Sequence, residues 1–133
     1  ILIGDEWTGD LAYLDYSNGQ REAIPVSLDF EKVVENSILF AIKYPGETQY
    51  NSREAYEWTA DGTRLNNAQI ISRSELSDGQ VEIVTESPGM DDNQRALIRT
   101  TYVISDTDFI VRKDVKYASS DAFLIRNQYT LSR

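Results

Sequence analysis

Lys113 is the residue whose type and position most clearly ask for chemistry. Strict alternation places it on the same face as Phe109, Val111, Val115 and Tyr117, an otherwise apolar strand face. A two-residue turn at Asp106-Thr107 that pairs Ser105 with Asp108 sets Thr100 opposite Lys113. A five-residue loop at 118 to 122 then sets Lys113 opposite Asn127, so that Thr100, Lys113 and Asn127 form one polar row across three strands. An unpaired ammonium in a barrel interior is costly, so an inward Lys113 needs a partner: a ligand carboxylate, a water cluster or Asn127. The competing reading is a bulge within Arg112-Lys113-Asp114 that turns the side chain outward, or an ammonium that snorkels at a barrel mouth. A desolvated lysine can also act as a base or an imine-forming nucleophile. No second catalytic group is placed to assist it, and the sequence leans away from an enzyme.

Ser72 and Thr85 are the other inward polar positions, facing each other if Asp78-Gly79 turns the chain so that Leu76 meets Val81 and Ser74 meets Ile83. An apolar lining with a few polar groups describes a ligand site, and buried waters would satisfy the same groups. Trp58, Tyr102 and Tyr129, with Tyr13 and Tyr56, supply either aromatic walls for a ligand or simply core. The candidate ligand-binding set is therefore Lys113, Asn127, Thr100, Tyr102, Tyr129, Trp58, Ser72 and Thr85.

Absent residue types narrow the chemistry further. The chain has no histidine and no cysteine, which removes a Ser-His-Asp triad, thiolate nucleophiles, disulfides and sites built on His or Cys metal ligands. Asp91-Asp92-Asn93 lacks the spacing and distal Glu of a calcium loop and reads as a solvated acidic turn. No metal and no cofactor are expected. A net charge of -9 disfavours nucleic acid and anionic membrane surfaces, both of which call for clustered Lys and Arg. No apolar run approaches the roughly 20 residues of a membrane-spanning helix.

The elements that must position these residues are strands. At 133 residues the chain supports one domain, residues 1–133, with a real core. Trp7, Gly9, Leu11 and Tyr13 share one face of a first strand, and Asn18-Gly19 is a strong hairpin signal. Pairing Ser17 with Gln20 would set Tyr13 against Ile24, Leu11 against Val26, Gly9 against Leu28 and Trp7 against Phe30. Ile38, Phe40, Ile42 and Tyr44 line a third strand, and Asp61-Gly62 sets Trp58 against Leu65. The inward set then switches from odd to even positions, which points to a bulge or break near Asn66-Asn67. The segment from Ser87 to Gln94 reads as the longest polar connection before three final strands. The fold class is all-β: an antiparallel up-and-down meander of about nine or ten strands, whose edges are removed by closure into a barrel.

With Gly4-Asp5-Glu6-Trp7-Thr8-Gly9 opening the first strand and an arginine, Arg126 or Arg133, on or after the last, the chain resembles the calycin barrels. These are the lipocalins, fatty-acid-binding proteins and lidless ten-stranded relatives. The lipocalin signature is Gly-x-Trp, whereas Gly4 lies three residues before Trp7, and only Ser17-Asn18-Gly19-Gln20 stands where fatty-acid-binding proteins insert two helices. The resemblance implies a Trp packed under an Arg from the closing strand, and a cavity for a small apolar or amphipathic molecule.

Two further expectations concern partners. Leu97, Val103, Ile110 and Leu124 fall on the outward faces of the last strands and could join a second copy in a homodimer or a larger assembly. Arg99, Asp114 and Arg126 fall in one outward row and read as a surface ion-pair ladder. A start at Ile1 rather than Met points to a trimmed or mature form, with either a neighbouring domain or a leader removed, the second of which would fit an exported or periplasmic protein.

Overall fold

In the computed structural model, residues 2–133 are described, with the backbone alone for Asp78. Ten strands form one antiparallel sheet: β1 (Trp7–Asp15), β2 (Gln20–Val34), β3 (Ser37–Lys43), β4 (Ser52–Glu57), β5 (Arg64–Leu65), β6 (Ala68–Glu75), β7 (Val81–Asp91), β8 (Gln94–Ile104), β9 (Asp108–Tyr117) and β10 (Leu124–Ser132). The order across the sheet is β4-β3-β2-β1-β10-β9-β8-β7-β6-β5. Its two outermost strands are thus consecutive in the chain. The β4–β5 connection brings them together through the Trp58–Leu65 bridge, with Thr59 N–H bonded to Arg64 O at 3.1 Å and Asn66 N–H to Glu57 O at 2.7 Å. The result is a nearly closed barrel, as the meander pattern predicts. Among the described residues no helix is long and apolar enough to cross a membrane.

The core occupies one half of the barrel. Trp7, Phe30 and Phe109 are almost wholly buried, and Phe109 packs against Phe30 at 5.4 Å, Trp7 at 6.0 Å and Tyr56 at 6.1 Å between ring centroids. Arg133 lies over the Trp7 ring at 4.5 Å, while the indole N–H donates to Leu2 O at 3.1 Å. Of the two arginines that the resemblance left open, Arg133 is the one that seals this end.

Several local features differ from expectation for identifiable reasons. The Asn18-Gly19 signal is not a two-residue turn: β1 and β2 pair from Asp15–Gln20, and a four-residue loop closes with Gly19 N–H bonded to Asp15 O at 2.7 Å. Asp15 Oδ1 accepts from the Ser17 amide at 2.9 Å and hydroxyl at 2.6 Å, which stabilises the wider loop. Partners therefore slip by two: Trp7 faces Leu28, Gly9 faces Val26, Leu11 faces Ile24 and Tyr13 faces Glu22. An even slip preserves which side chains point inward, so the core survives the error. Of the bulge or break expected near Asn66-Asn67, the structure has the break: a hairpin turn between β5 and β6, both residues having positive φ. The segment 87–94 is not a loop. Strand β7 runs through Pro88-Gly89 to Asp91, and only Asp92-Asn93, at φ 49° and 59°, makes the turn into β8.

Of three one-residue register shifts among the described strands, at Glu31, Ile71 and Arg126, the last two move expected residues to the other face. A bulge at Ile71 pairs Ser72 with Val84 instead of Thr85, so Ser72 turns away from the interior and is exposed. A bulge at Arg126 keeps Asn127 opposite Lys113 but sets Leu124 opposite Val115, on the inward face, and Ile125 opposite Asp114, on the outer one. Leu124 is thereby removed from the expected outer apolar face, where Leu97, Val103 and Ile110 remain half-buried and Ile125 is exposed. The expected ladder also dissolves. Arg99 pairs with Glu86 at 2.6 Å, Asp114 with Arg112 at 3.2 Å, and Arg126 reaches inward.

Candidate functional site

The polar row forms, and it is longer than expected. Thr85 on β7, Thr100 on β8, Lys113 on β9, Asn127 on β10, Tyr13 on β1 and Glu22 on β2 are successive register partners across six strands. Thr85 is 1% exposed and the Tyr13 hydroxyl donates to Glu22 at 3.1 Å. This belt divides the barrel. Toward Trp7 the next inward residues are Ile83, Tyr102, Val111, Tyr129, Leu11 and Ile24, which begin the apolar core.

On the other side of the belt lies a charged cluster around Asp91. Asp91 is 8% exposed and accepts hydrogen bonds from the hydroxyls of Tyr16 and of Tyr117, the latter at 2.7 Å. The two hydroxyls also contact each other at 2.7 Å. Arg126 Nε approaches Asp91 Oδ1 at 3.5 Å and Lys113 Nζ approaches it at 3.8 Å. Burial alone would raise the Asp91 carboxyl. The two tyrosine hydrogen bonds and the two cations outweigh burial, and the carboxyl is held below its ordinary value. Burial, followed by the bond to Asp91, pushes Tyr16 far above the ordinary phenol range, and Tyr117 is raised for the same first reason. The protein thus supplies the partner that an inward Lys113 requires.

Arg126 links this cluster to an open cavity. Its guanidinium lies over the Tyr16 ring at 4.3 Å and donates to Leu14 O at 2.6 Å. The cavity beyond it has a volume of 510 Å³ and is walled by Leu11, Ile24, Tyr13 and Tyr44, with Arg126 and Asn127 to one side. Glu47, Tyr50, Ser52 and Glu54, from the 3-10 turn at Thr48–Tyr50 and its flanks, complete the wall. At its inner end, Tyr44 and Tyr129 join hydroxyls at 2.9 Å. Burial and that contact push Tyr129 well above the ordinary range.

Two smaller cavities lie deeper. One of 100 Å³ runs along the β4 side beside Tyr56, Tyr129 and Asn66. The other, 170 Å³ and wholly apolar, sits at the Arg133 end among Trp58, Leu65, Ile83, Tyr102 and Phe109. The eight candidate residues are therefore dispersed. Asn127 lines the open cavity, Tyr129 lines the small cavity beneath it, and Trp58 and Tyr102 line the apolar one. Thr85, Thr100 and Lys113 belong to the belt, and Ser72 is outside. Asp91, Tyr16 and Arg126 are the residues that sequence reasoning missed. Asp91 and Tyr16 were hidden by turn signals, and Arg126 by a bulge that no local pattern announces. The face shared by Tyr117 and Lys113 was the one available hint.

Among the described residues no group of three or more acidic side chains gathers in a way that could hold a metal ion. No protein-family model, no curated protein and no solved structure matches the chain.

Proposed function

We propose that this barrel is a non-catalytic carrier or receptor for a small, largely apolar molecule, held in the 510 Å³ cavity at the end opposite the Trp7–Arg133 seal. That cavity is the observation that carries the reading. Its volume falls in the range of small-molecule sites, and its wall sets Leu11, Ile24 and three tyrosines beside an equal number of polar or charged side chains, Glu47, Ser52, Glu54, Arg126 and Asn127. The belt and the Asp91 cluster give it a rigid polar side, because Arg126 is held by a carboxylate, a backbone carbonyl and an aromatic face at once. A lipocalin-like identity is part of the proposal, supported by ten antiparallel strands and a buried Trp on the first strand beneath an Arg that follows the last.

The test is a titration with N-phenyl-1-naphthylamine, an uncharged fluorescent apolar probe. Saturable binding at one site per chain is expected, with loss of at least tenfold in affinity in Leu11→Trp and in Ile24→Trp, each of which fills the cavity while circular dichroism reports an unchanged fold. Absence of saturable binding, or binding indifferent to both substitutions, would overturn the proposal. Native mass at increasing concentration separates the outcomes, since a barrel that works through its outer face would dimerise without binding the probe.

A further inference from the structure

We infer that the molecule held in this cavity carries a positive charge, an organic ammonium on an apolar body. The inference rests on the cavity being a binding site and adds the chemistry of what it selects.

The charges that reach the cavity wall are Arg126, Glu47 and Glu54. Arg126 is already committed: Asp91 lies at 3.5 Å, Leu14 O accepts from Nη1, and one face of the guanidinium is covered by Tyr16. Asp91 is shared with Lys113, so this cluster keeps one net positive charge, which the two rim carboxylates of Glu47 and Glu54 outnumber. Glu54 accepts a hydrogen bond from Ser52 Oγ at 2.8 Å, and neither Glu47 nor Glu54 has an ion-pair partner among the described residues. An entering anion would meet these two carboxylates. A cation would be drawn to them.

The aromatic wall has the same preference. Tyr13, Tyr44 and Tyr50 line the cavity, and an aromatic face attracts a cation through its quadrupole. Three tyrosines and two glutamates on one wall favour an ammonium, while Leu11 and Ile24 offer apolar surface for its hydrocarbon part. Glu22, which accepts from the Tyr13 hydroxyl, adds negative charge at the hydroxyl edge of that ring and strengthens its attraction for a cation. The net charge of -9 favours approach of the same class of molecule.

A charge series on one short chain tests this by isothermal titration at low ionic strength: hexyltrimethylammonium, hexanol and hexanoate against the wild type and the Glu47→Gln, Glu54→Gln double variant. The ammonium should bind at least about tenfold more tightly than the alcohol or the carboxylate, as cation–π contact and two rim carboxylates together would give. The double variant should lose the carboxylates' share of that advantage, so that its ammonium-to-hexanol affinity ratio falls toward the part given by the tyrosines. If all three probes bind equally, or hexanoate binds best, the charge inference fails and the cavity stands as a site of another selectivity. If no probe binds and N-phenyl-1-naphthylamine also fails, the site itself is refuted. Failure of the ammonium alone refutes the charge preference.

Discussion

Replacing Asp91 by asparagine should destabilise the barrel and change its response to acid together. The substitution keeps the side chain's shape and removes its charge. Lys113 and Arg126, 3.8 Å and 3.5 Å from Oδ1, would then face each other's charge with no carboxylate between them. Two hydroxyl donors, Tyr16 and Tyr117, would share a neutral amide oxygen in place of the carboxylate. Breaking a fully buried ion pair costs about 3–5 kcal/mol. Lys113 and Arg126 retain 33% and 25% side-chain exposure, so water can recover part of that loss, and about 2–3 kcal/mol is expected. For a chain of 133 residues this corresponds to a fall of about 7–11 °C in Tm at neutral pH. The pH dependence gives an independent check. Because the folded carboxyl is held below its ordinary value of about 4, the unfolded chain binds more protons in the window beneath that value. The wild type should therefore lose this stability as pH falls through the window, and the Tm gap to Asp91→Asn should close. A gap below about 3 °C at pH 7, or one unchanged between pH 7 and pH 3, would refute the account of the cluster.

Other perturbations probe the frame around it. A Cβ on Gly9 would stand 1.8 Å from Thr130 O on the neighbouring strand, so Gly9→Ala should cost about 3 kcal/mol, whereas Gly46→Ala, which meets nothing within 4 Å, should be nearly neutral in the same urea titration. Phe109→Ala removes the ring at the centre of the Trp7, Phe30 and Tyr56 contacts and should cost about 3–5 kcal/mol by chemical denaturation. Burial raises Tyr16, Tyr56 and Tyr129, so their contribution to stability is complete below the ordinary phenol value of about 10 and is lost as pH climbs above it. Absorbance at alkaline pH should accordingly show these phenols ionising together with loss of the fold, not before it.

Alternation and short turns made the barrel legible. The Asp106-Thr107 turn fixed Thr100 opposite Lys113 with no irregularity between, and Asp61-Gly62 fixed Trp58 opposite Leu65. Such signals are local and act through adjacent residues. The cluster is not local: Tyr16, Asp91, Tyr117 and Arg126 come from both ends of the chain and meet only after closure. Three of them also sit where local rules mislead. Asn18-Gly19 draws Tyr16 into a strand that ends at Asp15, Pro88-Gly89 imitates a loop within β7, and the bulge at Arg126 interrupts an alternation that carries no turn residue there. Lys113 was legible as a charge in need of a partner. That the partner is Asp91 required the fold.

The proposed function is tested most directly by mapping where a bound probe sits, using amide chemical-shift changes in the folded protein as N-phenyl-1-naphthylamine is added. The account predicts saturable shifts confined to Leu11, Tyr13, Ile24, the segment from Tyr44 to Glu54, and Arg126 with Asn127. Shifts centred instead on Trp58, Ile83 and Tyr102 at the Arg133 end, or on the outer face of β8 and β9, would contradict it.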